Sequence, residues 1–387
     1  MLRWMVGVLL IASFSAVGAE EWKMSEFVIY LWGSPKVADL DAKAAALAEA
    51  GFIVVDWKGD ELDVLQKHGL QGMVHKPTPK EARSLKKHPA LWGYHCGDEP
   101  YPEEQFPPIA KLFKELKKAD PEHPPFVNML STTGQFLRTW MKVVQPDILS
   151  FDYYQWWWGS DRYFEKLEQF RQEAVAADVP LGSCLEVNAD PYTGHKEGLP
   201  DNGLKLRQSV YTNLAYGVKM IEWFNSSQVF EPESVELTPA GRDVAALNAE
   251  LRVLGPVLVG LKSLDVFNTP PLQLGMREAY KEHWVRLIGE ETRAGLVQGM
   301  FEGEDGLDYM MVTNRDYRSS QSVVVRFQSK WMGIAPWHEK KKYSYAIDIF
   351  DKETGEWKTF SSSSFVGFTF VIGPGDGELF RIKTNVE

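Results

Sequence analysis

The chain has 387 residues, 42 of them basic and 53 acidic, for a formal net charge of −11. That length holds a sizeable hydrophobic core and about two domains, while the acidic balance argues against a surface built for nucleic acid or another polyanion. Only two cysteines occur, Cys96 and Cys184, each inside a strand-like run, so two buried thiols are expected and a bridge is not.

Residues 1–19 read as an export signal. Arg3 supplies the positive start, an apolar run follows to Phe14, and small residues lead to a cleavage site near Ala19. The apolar part is too short to span a bilayer and no cysteine flanks the cleavage site. A secreted or periplasmic protein without a membrane anchor is therefore expected.

Apolar, β-rich runs then recur at 27–32, 52–57, 70–75, 91–96, 126–130, 148–154, 181–187 and 220–224. Amphipathic stretches separate them at 38–50, 61–68, 79–87, 103–118, 135–144, 162–177 and 204–217, and a last helix is predicted over 239–261 after Thr238-Pro239. Eight strands alternating with helices predict a (β/α)8 TIM barrel over residues 20–262. No Gly-x-Gly-x-x-Gly or phosphate-loop pattern follows any strand, which counts against a nucleotide-binding open sheet. Beyond the barrel, short alternating runs such as 294–300, 309–313, 322–327, 343–349 and 379–382 are separated by turn clusters, predicting a small antiparallel β-sandwich over 263–387. The lysine-rich stretch at 338–342 reads as a solvated hairpin tip.

The fourth run ends in Gly97-Asp98-Glu99-Pro100. Proline cannot extend a central strand, so these acids belong at the C-terminal rim of the barrel, where such folds place their chemistry. Retaining glycosidases need a proton donor and a nucleophilic carboxylate about 5–5.5 Å apart. Neighbouring side chains on a strand diverge, so the partner of Glu99 is expected from elsewhere on the rim. Glu186, ending the seventh run, is the leading choice, and Glu222 in the eighth run is the competing one. A helix-capping role for Glu99 and a salt bridge for Glu186 are the structural alternatives.

After the sixth run comes Asp152-Tyr-Tyr-Gln-Trp-Trp-Trp158. Three successive tryptophans fan outward in any regular conformation, and aromatic faces suit the C–H surfaces of sugars. Trp156 and Trp157 are candidate sugar platforms, with packing against the sandwich or a dimer partner as the alternative use. Asp152 or Tyr154 is placed to orient a nucleophile. Trp32 and Asn128, at other strand ends, are candidates for substrate contact, as are Asp56, Lys58, His75 and Lys76. His75 and His95 show no metal-ligand spacing, and neither a metal nor an organic cofactor is expected.

The strand rhythm, with glutamates ending the fourth and seventh strands, resembles the retaining glycoside hydrolases of clan A. Trp92-Gly-Tyr-His-Cys-Gly-Asp-Glu-Pro100, Ser150-Phe-Asp-Tyr-Tyr154 and Leu214-Ala-Tyr-Gly-Val-Lys-Met-Ile-Glu-Trp-Phe224 are similar to exported bacterial β-galactosidase-like hydrolases, which often pair the barrel with a β-sandwich. The resemblance implies Glu99 as acid/base and Glu186 as nucleophile. It also implies Trp223 on the sugar-binding floor, in which case Glu222 faces the helices or sits too deep. The clan usually carries, before its acid/base, an asparagine that holds the substrate's 2-hydroxyl; this chain has Asp98, which can accept that hydrogen bond. Its charge would raise the pKa of one of the adjacent pair, which suits a general acid and leaves Asp98 itself open as the catalytic acid. The expected function is hydrolysis of a glycosidic bond in an oligo- or polysaccharide. A non-catalytic carbohydrate-binding protein is one alternative. A polysaccharide lyase acting on a uronate through Tyr154, His75 and Lys76 is another.

Overall fold

The eight predicted runs form parallel strands β1 (Val28–Leu31), β2 (Val54–Trp57), β3 (Gln71–His75), β4 (Leu91–Asp98), β5 (Pro125–Leu130), β6 (Leu149–Asp152), β7 (Leu181–Glu186) and β8 (Val218–Phe224). They pair in chain order, and β8 closes on β1 to make a barrel. The computed structural model describes residues 22–132, 134–190, 201–279, 285–289, 295–327, 343–362 and 368–386. The export signal expected at 1–19 and the hairpin tip expected at 338–342 lie outside the described residues.

The strands are apolar on both faces because both faces are covered. Val28, Tyr30, Val54, Met73, Phe126 and Met220 fill the interior, and Trp22 meets Trp92 edge-on at 5.9 Å where the strands begin. Ile29, Leu31, Val55, Leu149, Phe151 and Leu185 point outward into the shell of helices.

That shell comprises α1 (Leu40–Glu49), α2 (Leu62–Lys67), α3 (Pro79–Leu85), α4 (Phe106–Ala119), α5 (Gln135–Val144), the short α6 (Gln155–Trp158), α7 (Tyr163–Ala177), α8 (Asn202–Ala215), the short α9 (Ser226–Val229) and α10 (Pro239–Leu258). Local chemistry sets several starts. Asp39 accepts hydrogen bonds from the first backbone N–H groups of α1, while Thr78 and Thr238 cap α3 and α10, each with proline in the first turn. α10 stops at Leu258, short of the predicted 261, because Leu261 already belongs to the next sheet. None of the described helices is long and apolar enough to cross a membrane.

The C-terminal strands are β9 (Leu261–Asn268), β10 (Val285–Gly289), β11 (Leu296–Gly303), β12 (Asp308–Asn314), β13 (Gln321–Phe327), β14 (Tyr343–Phe350), β15 (Trp357–Ser362), β16 (Phe368–Ile372) and β17 (Gly377–Val386). They make a six-stranded sheet, β15-β14-β17-β12-β11-β9, and a three-stranded sheet, β10-β13-β16. Met310, Val312, Ile347 and Phe380 of the larger sheet share a core with Val285, Val323 and Val325 of the smaller one, giving a β-sandwich.

The larger sheet's other face lies on the barrel's helices. Val297, Met311 and Leu379 join the barrel's own outer core. Gly299 of β11 comes so close to α8 that a Cβ there would sit 2.0 Å from the Ala215 carbonyl oxygen. Polar ties reinforce the contact. Arg207 of α8 donates to Glu250 of α10 and, at 3.0 Å, to Asp376 before β17; Lys352 donates to the same Asp376 at 2.8 Å.

Candidate active site

At the rim the chain departs from the regular pleat. The β4–β5 register shifts between His95 and Gly97, and Glu99 adopts φ +42°, a left-handed conformation uncommon outside glycine. The side chains of Asp98 and Glu99, expected to diverge, consequently line the same cavity. That cavity measures about 230 Å³ and is completed by Trp32, Asn128, Asp152, Tyr154, Trp158 and Phe224.

Its polar side is a connected set of groups. The Glu99 N–H donates to the Asn128 carbonyl at 2.9 Å, and Asn128 Nδ2 donates to Asp98 Oδ1 at 3.2 Å. Asp152, only 4% exposed, lines the cavity close enough to Glu99 for the two carboxyls to interact. Burial first, then that interaction and the charges of Glu99 and Asp98, hold the Asp152 carboxyl well above the usual carboxylate range. The same causes favour the protonated form of Asp152. Asp98 is also raised, because desolvation outweighs the Asn128 amide that favours its anion. Two buried acceptors at this face, Asn128 Oδ1 and Asp152 Oδ1, have no hydrogen-bond partner. A bound hydroxyl group would satisfy either.

The remaining wall is aromatic. Tyr154 stacks on Phe224 with ring centroids 5.5 Å apart, and Trp158 stands beside Tyr154 at 4.9 Å with half its surface open. The tryptophan triplet fans apart because it forms the single helical turn α6. Trp158 reaches the cavity. Trp157 packs against Tyr154 at 4.8 Å and donates to the Asn188 carbonyl. Trp156 turns away, donating to Ser209 of α8 and meeting Tyr317 of the sandwich edge-on at 5.3 Å. Of the two tryptophans expected to contact substrate, neither lines the cavity, and the third in the run does.

Glu186 is likewise not among the residues lining this cavity. It is fully buried at the end of β7, where the Trp156 N–H donates to its Oε1 at 2.8 Å and its Oε2 has no partner. Burial pushes it up to about 7 against that hydrogen bond, and no neighbouring carboxylate contributes.

At β8 the facing is the reverse of that implied by resemblance. Glu222 points inward, accepting from Trp32 Nε1 at 2.8 Å and from the Ser150 hydroxyl, and burial pushes it up to about 8. Trp223 points outward and donates to Asn248 of α10 at 2.9 Å, away from the cavity. The register sets this: Tyr30 and Glu222 are paired on β1 and β8, and Tyr30 belongs to the barrel interior. Glu222 thereby fixes the indole of Trp32, which is a cavity wall.

Beside the cavity lies a second polar cluster. Tyr30 and the Gly33 N–H donate to Asp56, His75 Nε2 lies 2.5 Å from Asp56 Oδ1, and His95 Nδ1 lies 3.0 Å from the same His75 nitrogen. His95 Nε2 is 3.0 Å from the Gly97 carbonyl, and burial together with His75 holds this histidine down at about 4, hence neutral. The residues are 19 and 20 positions apart in the chain. No short-range spacing marks them; only the adjacency of β2, β3 and β4 brings them together.

No family model matches the chain, and no curated protein matches it. Among solved structures it is similar to a GH27 β-L-arabinopyranosidase from Geobacillus stearothermophilus, with a TM-score of 0.51 over 93% of this chain and 96% of that one at 10% identity. The likeness is one of fold. A family 51 α-L-arabinofuranosidase from Bifidobacterium longum aligns over 94% of this chain and 96% of its own, with a TM-score of 0.45 and 10% identity. An endo-β-1,3-glucanase of family GH128 from Amycolatopsis mediterranei covers 56% of this chain and 98% of its own, with a TM-score of 0.40 and 13% identity.

Proposed function

We propose that the protein is an exported glycoside hydrolase whose working carboxyl groups are Glu99 and Asp152. The observation that carries this reading is the pairing of a buried Asp152 with Glu99 in an aromatic-walled cavity with unpartnered hydroxyl-accepting atoms. Acid-assisted glycoside cleavage requires one carboxyl that holds a proton, the form that burial favours for Asp152, and a second to act as nucleophile. Asp152 protonates the departing glycosidic oxygen, and the ionised Glu99 attacks the anomeric carbon. Asp152, now a carboxylate, then takes a proton from water as that water releases the sugar from Glu99. This double displacement predicts retention, with the carboxyls about 5–5.5 Å apart during reaction, whereas inversion would need about 6.5–9.5 Å to admit a water. Glu99 thus exchanges the proton-donor role implied by resemblance for that of nucleophile, since burial favours the protonated form of Asp152.

The cavity's volume suits a single sugar ring, and the export signal read at 1–19 supports action on extracellular or periplasmic carbohydrate. Motif resemblance puts β-galactosides first in a substrate panel, and the fold neighbour adds arabinopyranosides. With an unactivated glycoside, Asp152→Asn should lose ~10²–10⁴-fold in kcat/KM, and far less with a dinitrophenyl glycoside, whose leaving group needs no proton. Glu99→Gln should fail with both, and NMR of the product should show a retained anomer. Wild-type activity in either variant would exclude that residue. A second reading keeps Glu99 as acid/base with Glu186 as nucleophile, favoured by the unpartnered Glu186 Oε2. It requires Glu186→Gln to be inactive, whereas the Glu99–Asp152 reading expects it to be active.

A further inference from the structure

We propose that Asp56, His75 and His95 form a binding site for a divalent transition-metal ion of the zinc type. Each residue comes from a separate, adjacent barrel strand, and the three donor atoms lie within 4.8 Å of one another. Their hydrogen-bond partners fix the lone pairs. The Gly97 carbonyl can only accept, so His95 carries its proton on Nε2 and turns the lone pair of Nδ1 toward His75 Nε2. Asp56 receives Tyr30 O–H on Oδ1 and the Gly33 N–H on Oδ2, and presents Oδ1 to that same His75 nitrogen. One N–H of His75 must then serve two acceptors. A cation replacing that proton accepts all three lone pairs together.

The surroundings match those of a ligating set. The second nitrogen of a metal-bound histidine usually donates to a carbonyl or carboxylate, and a ligating carboxylate is itself hydrogen-bonded; His95 and Asp56 meet those conditions. Two imidazoles and one carboxylate favour zinc-like ions over calcium or magnesium, which prefer all-oxygen shells. Asp56 and His75 also line a separate cavity of about 540 Å³ with Ser34, Lys43, Trp57 and Lys58, which gives the ion a route in and an open coordination position. Tetrahedral bonds of ~2.0–2.1 Å set donors ~3.3 Å apart, so the cluster must open by several tenths of an ångström. His75, with 42% of its side chain exposed, is free to make that adjustment.

The test is titration of the chelator-treated full chain with zinc chloride by calorimetry, and with cobalt chloride by visible absorption. One equivalent should bind, cobalt should develop ligand-field bands, and zinc should raise the melting temperature. His75→Ala and Asp56→Asn should each weaken zinc binding at least ~100-fold and abolish the thermal shift. Both should still fold: His75 is part-exposed, and asparagine keeps an acceptor oxygen for the Gly33 N–H while its NH2 can donate to the Tyr30 hydroxyl, which turns to accept. Excess magnesium should not compete. Glu99→Gln should bind zinc as the wild type does, which separates this site from the hydrolase reading. Absence of stoichiometric binding, or unchanged affinity in His75→Ala, would overturn the proposal.

Discussion

At the scale of single residues, Glu99 joins function to backbone cost. Its φ of +42° is a conformation that side chains with a Cβ adopt at an expense of ~1–3 kcal/mol, and it delivers the carboxyl to the cavity beside Asp98. Glycine bears no such cost, so Glu99→Gly should melt no lower than the wild type, by thermal denaturation, while losing the proposed hydrolysis altogether. A clear fall in melting temperature would mean that the Glu99 side chain holds the rim together. The sequence marked this residue because a proline follows an acid at a strand end. It did not reveal that Asp98 and Glu99 share one cavity, because the divergence of neighbouring side chains holds only while a strand stays regular. The register shift in β4 and the left-handed turn cancel that rule here.

Elements decide where the other acids go. Alternation along β7 gave Glu186 an inward place, but the turn α6 reaches over and binds its carboxylate through the Trp156 N–H. Glu222 and Trp223 show the same limit. Alternation required them to face opposite sides, and only the β1–β8 register determined which side each took. Burial of Glu186 has a pH consequence whose sign is opposite to that of a salt-bridged acid. With its pKa raised from 4.5 to about 7, the folded chain keeps a proton that the unfolded chain releases, so the group costs stability progressively as pH rises through that window. Glu186→Gln preserves the acceptor for Trp156 and removes the ionisation. It should gain on the order of 1–3 kcal/mol relative to wild type at pH 8, and little at pH 4, in denaturant titrations. A gain of equal size at both values would contradict this origin.

For the whole molecule, strand count and order were legible because each barrel strand is a nearly continuous apolar run with helix punctuation between. The sandwich was legible as a class from its short alternating runs. The mutual seating of the two was not, since it depends on absent side chains as much as present ones. Gly299 is the sharpest case, with a Cβ clashing at 2.0 Å from the Ala215 carbonyl oxygen. Gly299→Ala should therefore cost about 3 kcal/mol and lower the single calorimetric transition expected of two parts sharing one core. Two resolved transitions in the wild type would show that the parts unfold separately.

The fanned tryptophans carry a further consequence. One turn presents Trp158 to the cavity and Trp156 to Tyr317 of the sandwich, so the pocket's shape has an abutment outside the barrel that holds the carboxyls. Recombination among such proteins is then constrained at a seam. A barrel given a foreign partner would keep Glu99 and Asp152 but lose the Tyr317 contact that braces α6. Under the proposed hydrolase reading, selectivity would then belong to the joint, so that Tyr317→Ala should shift substrate preference in a glycoside panel while Glu99 and Asp152 stay in place.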